Sequence, residues 1–339
     1  MYKSIRKFLR QKTTWLSEVA GMHRLALRHG RDLTLKQNHL QRVRPNDLLL
    51  VAVMKNEAHR LPFFIDYYRT LGIDHFLFVD NDSTDHFNAV VADQPDITTY
   101  HTRASYKASN FGMYWANYLL LRHGIGHWCL TCDPDEFIVY PHQESRSLRD
   151  LTDYLASIRE DAFFTVMVDM YSDQTVNASA YREGDDPLLT CPYFDGTGYS
   201  KSYDQRYRNL FVQGGVRRRA FYAHNPAKAP ALNKIPLVRW RAHFAYVESM
   251  HMAIPRRLNQ AASADKTTGA LLHFKFISQL QQKVKEEAIA QQHYDNSSEY
   301  RKYAQAIEQQ RAFHDPSVSV RYDNWQTLAR QGLIGLGEW

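Results

Sequence analysis

The chain has 339 residues, 44% apolar and 23% charged, ordinary values for a globular protein and enough length for one large domain or two modest ones. Its three cysteines, Cys129, Cys132 and Cys191, are too few and odd in number for a disulfide scaffold and suit a reducing compartment. No stretch approaches the roughly 18 apolar residues of a membrane span, and the N-terminus lacks the apolar run of a signal peptide, so a cytoplasmic location is expected.

The net charge of +6 is concentrated at the front. Residues 1–46 carry Lys3, Arg6, Lys7, Arg10, Lys12, Arg24, Arg28 and Arg31, among others, against Glu18 and Asp32. Tyr2, Ile5, Phe8 and Leu9 fall among them at near-helical spacing. This predicts a basic helical extension over 1–46. One reading is a helix resting peripherally on anionic lipid at the inner face of the membrane; the other is a solvated helix packed on the domain. Nucleic acid is not expected as a partner, because no recognition motif accompanies the charge.

A regular pattern begins at Asp47. Residues 48–54 are a continuous apolar run, as in a buried parallel strand. A helix is predicted over 61–71, stopped by Gly72, then a strand over 75–79 closing on Asp80. Residues 84–92 read as a helix that Asp82 or Ser83 caps, 97–101 as a strand, 110–123 as a helix stopped by Gly124, and 127–131 as a strand running into Asp133. Cys129 and Cys132 form one C-x-x-C pair in that strand pattern, better read as buried small hydrophobes than as a zinc or redox site. Further on, 147–160 reads as a helix and 162–171 as a buried strand. Residues 172–205 are loop-rich, and Gln213-Gly214-Gly215-Val216 reads as a turn between strand-like pieces. Short strands are predicted over 235–240, 244–247 and 271–276, and a polar helical tail from 277 to about 313.

Alternating strands and helices predict an α/β fold with a mostly parallel, Rossmann-like central sheet. The expected organisation is a domain over 47–276 between the N-terminal extension and a helical C-terminal region (277–339). Open α/β sheets bind ligands beyond the carboxyl ends of their strands. Three polar clusters fall at such ends: Lys55-Asn56-Glu57, Asp80-Asn81-Asp82 and Asp133-Pro134-Asp135-Glu136.

The third cluster suits a divalent ion. Asp133 and Asp135 stand one residue apart with Pro134 fixing φ between them. Mn2+ or Mg2+ prefers such oxygen ligands and stabilises a leaving diphosphate as a Lewis acid. On its own, however, an acidic D-x-D turn is common on protein surfaces. The Asp80 carboxylate could accept hydrogen bonds from a base or ribose.

The segments 51–57, 71–76, 79–85 and 128–140 together resemble family 2 glycosyltransferases, and the subgroup resembled is also similar to family 92 transferases. The resemblance implies a GT-A fold over roughly 48–310, dividing the domain into a nucleotide-binding half (47–141) and an acceptor half (142–276), and transfer of a sugar from a nucleotide-diphosphate donor, such as a UDP-sugar, to a glycan or lipid-linked acceptor. It implies that Asn56, Glu57, Asp80 and Asn81 line the nucleoside pocket and that Asp133 and Asp135 are the D-x-D pair. Asp133, Asn117, Gly214, Gly215 and Lys275 join the donor side, and His273 is the implied third metal ligand; Lys275, two residues further along a strand, would share the His273 face and neutralise the diphosphate. Arg217, Arg218 and Arg219 either meet phosphates or form a solvated edge. The Glu-Asp pair of many inverting relatives has no counterpart, which leaves Glu248, His251, Asp195 and Asp169 as candidate bases. Two other readings stand beside this one: a nucleotidyltransferase that makes a nucleotide-sugar, and a non-catalytic glycan-binding module. Residues 51–57 lack the Gly-rich loop expected of the first.

Overall fold

The computed structural model describes residues 2–205, 208–262, 265–277, 280, 284, 302–304 and 307–339, with side chains from residue 15 onward. It opens with helix α1 (Tyr2–His29) and a short strand β1 (Thr34–Gln37). The alternating region follows as β2 (Leu49–Met54), α2 (Leu61–Leu71), β3 (His75–Asp80), α3 (Phe87–Val91), β4 (Ile97–His101), α4 (Met113–Leu119) and β5 (Trp128–Thr131). Then come β6 (Glu136–Val139), α5 (Leu148–Ser157), β7 (Ala162–Asp169), β8 (Tyr193–Asp195), β9 (Ser200–Asp204) and β10 (Asn209–Gln213). The remainder is α6 (Gly215–Phe221), β11 (Asn233–Arg239), β12 (Ala245–Tyr246), β13 (Ala253–Ile254), β14 (Gly269–His273), β15 (Ser319–Arg321) and α7 (Trp325–Arg330).

Nine strands form one sheet in the order β1-β4-β3-β2-β5-β11-β7-β14-β6. The β4, β3, β2 and β5 ladders are parallel, as are β7 and β14, whereas β1, β11 and β6 pair antiparallel to their neighbours. The result is a mixed α/β fold with a large, mostly parallel sheet. Its buried strands carry the apolar runs seen in the sequence, and Leu49, Leu50, Val51, Phe76, Leu77, Phe78, Leu130 and Val168 have almost no exposure.

Local chemistry sets the helix ends. Gly72 stops α2 in the left-handed conformation (φ 98°), and the Ile73 amide donates back to the Tyr68 carbonyl. Ser147 and Asp150 form a reciprocal capping box at the start of α5. The helix predicted from 110 begins only at Met113, because Asn110, Phe111 and Gly112 are all left-handed. The helix predicted from 84 begins only at Phe87. Asp80, Asn56 and Asp85 side chains accept from the Ser83, Thr84 and Phe87 amides and hold that stretch as a loop. Ser83 therefore caps no helix; its hydroxyl accepts from the Asn56 amide instead.

Three further expectations change. Gly214-Gly215 links a strand to a helix, not two strands. The N-terminal segment is more than a helix: β1 extends the sheet beside β4, and α1 packs on α4. Gly30 makes that docking close, since a Cβ there would lie 2.2 Å from the Tyr118 ring. The polar tail predicted over 277–313 lies largely outside the described residues. Beyond it, β15 adds a strand against β8 where only helix was expected. No described helix is long and apolar enough to cross a membrane.

Candidate active site

The winding of the sheet defines where a ligand would sit. The chain steps outward from β2 to β3 to β4, then returns to lay β5 on the other side of β2. The β2–β5 boundary is thus a topological switch point, where the connections diverge and leave a crevice beyond the carboxyl ends. Lys55-Asn56-Glu57 leaves β2 at this crevice, Asp133 follows β5, and Asp80 ends the adjacent β3.

The acidic segment runs from β5 towards β6 and meets three side chains from the far half of the sheet. The Lys234 ammonium, at the start of β11, pairs closely with the Glu136 carboxylate and lies 3.6 Å from Asp133 Oδ2. His273, at the end of β14, faces Asp135 Oδ2 with Nε2 at 3.3 Å. Its Nδ1 contacts Asp169 Oδ1 at 2.6 Å, and Asp169 Oδ2 accepts from Arg217 Nε at 2.8 Å. The Asp169 side chain has no exposure, whereas that of Asp133 is 47% exposed, so the cluster runs from a buried base to an open mouth.

Burial and charge oppose each other throughout. Burial pushes the Asp169 carboxyl up, but Arg217 and His273 outweigh it and hold it down at about 2. Burial pulls the His273 imidazole down, and Asp135 and Asp169 overcome that and raise it. Burial likewise works against the Lys234 ammonium, yet Glu136 and Asp133 hold it above its ordinary value. Asp133, Asp135, Glu136 and Asp169 thus face Lys234 and Arg217. Among the described residues, four carboxylates face two fixed cations, and were His273 to give up its proton, as ligation requires, a divalent ion would be favoured there.

The geometry suits such an ion in part. An imidazole whose Nδ1 donates to a carboxylate presents Nε2 as a ligand, the usual outer-shell arrangement of a metal-binding histidine. Two ligands at about 2.1 Å from an ion and at right angles to it lie about 3.0 Å apart, close to the Asp135–His273 separation of 3.3 Å. Among the described residues, no three His, Cys, Asp or Glu side chains converge on one ion position.

The residues expected to line a nucleoside pocket do gather at the β2 and β3 ends, but their side chains are engaged within the protein. Asn56 Oδ1 accepts from the Thr84 amide at 2.8 Å, and Glu57 pairs with Arg60 at 3.0 Å. Asp80 accepts from the Ser83 amide and contacts His101 Nδ1, both at 2.9 Å. Asn81 donates to the carbonyls of Thr102 and Ala104. These bonds shape the rim, beside which the Asp133 side chain is the exposed one of the acidic turn.

Other expected positions are structural. Asn117 exchanges two hydrogen bonds with the Tyr246 backbone. A Cβ on Gly214 would lie 2.5 Å from the Tyr199 ring, so the close approach there is to that ring. Gly215 (φ 64°) starts α6 beside Asp169 and lets Arg217 reach it. Lys275 was expected on the His273 face by strand alternation, but β14 ends at His273, and the Lys275 ammonium lies 5.4 Å from the Tyr303 ring centre. Arg219 grips Asp195 through two nitrogens, while the Tyr171 hydroxyl donates to the same carboxylate. Asp195 is therefore a neutralised tie between β8 and α6, poorly suited to act as a base. His251 donates from Nδ1 to the Asn233 carbonyl at 2.6 Å, which frees Nε2 as an acceptor. Burial and then Lys234 push that imidazole down to about 3, a weak base. Glu248 is exposed on the turn between β12 and β13. Asp169, also weighed as a base, orients His273 instead.

Lys234 escaped the sequence reading, and Arg217, expected at phosphates or on a solvated edge, is instead buried against Asp169. Lys234 stands at the edge of an apolar run, where a lysine ordinarily signals solvent. Arg217 belongs to an arginine triplet that gave no sign of which member turns inward.

No protein-family model matches the chain, and neither does any curated protein. Among solved structures, it is similar to a 4-diphosphocytidyl-2C-methyl-D-erythritol synthase from Anaerococcus prevotii, with 14% identity, 44% of this chain and 68% of that chain covered, and a TM-score of 0.24. It is also similar to HddC from Yersinia pseudotuberculosis, with 9% identity, 78% and 100% covered, and a TM-score of 0.27. Likenesses this weak carry no argument about what this chain does.

Proposed function

We propose that the chain is a transferase acting on a nucleotide-activated sugar, with the diphosphate held beyond the carboxyl ends of β2 and β5. The observation that carries this reading is the Asp135–His273–Asp169 chain, which runs from a fully buried carboxylate out to the acidic turn beside that crevice. A Mn2+ or Mg2+ ion bound by Asp135 and His273, with Asp133 within reach, would supply Lewis-acid stabilisation of the leaving diphosphate. The protein's own part is orientation and charge. Asp169 fixes the His273 ring, Arg217 keeps Asp169 ionised, and Lys234 offsets the acidic turn so that a polyanion can approach it.

Glycosyl transfer from a UDP-sugar to a glycan or lipid-linked acceptor is the main reading, supported by the family 2 and family 92 resemblance and by the D-x-D pair. An inverting course is the form that resemblance favours. A second reading is nucleotidyl transfer that makes a nucleotide-sugar. The buried Lys234 beside the acidic turn favours it as much as the first, since a fixed ammonium suits a triphosphate as well as a diphosphate. The two separate in one assay: incubation with Mn2+ and a nucleotide-sugar panel, followed by nucleotide analysis. Release of nucleoside diphosphate, abolished by Asp135→Ala, supports glycosyl transfer. Exchange of labelled pyrophosphate into a nucleoside triphosphate supports the second reading. Neither product, with no metal-dependent nucleotide binding, overturns both.

A further inference from the structure

A cavity of about 550 Å³ opens beyond the carboxyl end of β7. The chain leaves Asp169 through Met170 and Tyr171, and Ser172, Asp173 and Gln174 then form one wall. Tyr193 and Arg321 form another. These two are direct partners across the antiparallel β8–β15 pair, so their side chains leave the same face. The Tyr193 ring is fixed edge-on to His314, with centroids 4.7 Å apart. Among the described residues, Arg321 forms no ion pair and is exposed. Asp173 accepts from Gln174 Nε2 at 3.2 Å, which leaves further lone pairs on its carboxylate.

This mixture restricts the ligand. The wall is too polar for a lipid chain. A carboxylate opposite a single arginine disfavours a simple anion or a nucleic-acid backbone. A fixed aromatic ring, a carboxylate, an amide and an exposed guanidinium match the two aspects of a sugar: C–H bonds on the faces of its ring and hydroxyls around its rim. Position adds to this. Ser172 lies three residues past Asp169, on the order of 10 Å at strand rise, and Asp169 holds His273.

We propose that this cavity is the acceptor subsite and takes a saccharide unit of the acceptor; this rests on the reading of the His273 edge as the donor site. The test is a glycan array probed with the labelled full-length protein. Binding should concentrate on glycans that share one sugar unit, and Tyr193→Ala should weaken it by roughly tenfold. Arg321→Gln, at an exposed position, repeats the test without threatening the fold. No glycan bound above background, or binding unchanged in both variants, overturns the proposal. Donor hydrolysis by the wild-type protein is measured alongside. Hydrolysis without glycan binding sinks the subsite alone; glycan binding without hydrolysis of any donor sinks the donor reading and the acceptor role with it.

Discussion

The His273 imidazole is fixed by Asp169, its Nδ1 lying 2.6 Å from one carboxylate oxygen while the other oxygen takes a 2.8 Å bond from Arg217. The contact spans the parallel β7–β14 ladder, in which His273 and Asp169 are direct register partners. It turns Nε2 towards Asp135, the orientation a metal-binding histidine needs.

Asp169→Asn removes the charge that orients His273 and that pairs with the buried Arg217 guanidinium at 2.8 Å. Metal affinity should fall by about 10–100-fold, the usual effect of losing such an outer-shell partner. Stability should fall by about 3–5 kcal/mol, as for one half of a buried ion pair. Calorimetric Mn2+ titration and urea denaturation measure the two effects separately.

The pH dependence follows from the same groups. Asp169 has a folded value of about 2 against 3.8 unfolded. Its contribution, about 2 kcal/mol, is present above the unfolded value and is lost as pH falls through the folded one. His273 is raised in the folded protein, so its contribution is present below 6.5 and is lost as pH rises through the folded value. Thermal melts in EDTA should therefore show stability declining on both the acid and the alkaline side. Because a metal must displace the His273 proton, Mn2+ affinity should rise with pH across the same titration. A flat Mn2+ affinity from about pH 5 to about pH 8 would exclude His273 as a ligand.

Lys234→Met keeps the bulk of the side chain and removes the cation from beside Glu136. The buried carboxylate is then uncompensated, with an expected loss of about 3–5 kcal/mol. Adding Glu136→Gln should restore part of it, since a neutral amide costs less to bury. A double-mutant cycle in denaturant checks this; additive losses would show that the pair is not coupled.

Gly269→Ala tests the register of β14 between β7 and β6. A Cβ there would lie 2.4 Å from the Val139 carbonyl oxygen and 2.7 Å from the Phe163 ring. The expected cost is about 1–3 kcal/mol, read as a lower melting temperature. An unchanged melting temperature would contradict the register.

The first half of the sheet was legible because its signals are local. Apolar runs gave β2, β3 and β5, the β-branched and aromatic residues of 97–101 gave β4, and Gly72 and Ser147 stand at helix ends that their own local chemistry sets. The loop after β3 was harder, because Asn56, Asp80 and Asp85 bind amides that would otherwise start a helix. The site itself was only partly visible. D-x-D was evident as a pattern, but Lys234 and Glu136 are 98 residues apart, and Arg217 and Asp169 are 48 apart. Those pairs exist because β11, β7, β14 and β6 lie side by side, an order that hydrophobic periodicity does not encode. Lys275 was misjudged for a related reason: alternation holds only while the strand continues, and β14 stops two residues earlier.

The central claim is that Asp135 and His273 hold a divalent ion against a nucleotide diphosphate. Pulsed electron paramagnetic resonance of the protein with Mn2+ and UDP tests it most directly. The account predicts nitrogen modulation from one imidazole together with phosphorus coupling from the nucleotide. The nitrogen signal should disappear in His273→Ala, and both signals should disappear in Asp135→Ala. Phosphorus coupling without nitrogen in the wild-type protein, or a spectrum indifferent to both substitutions, would contradict it.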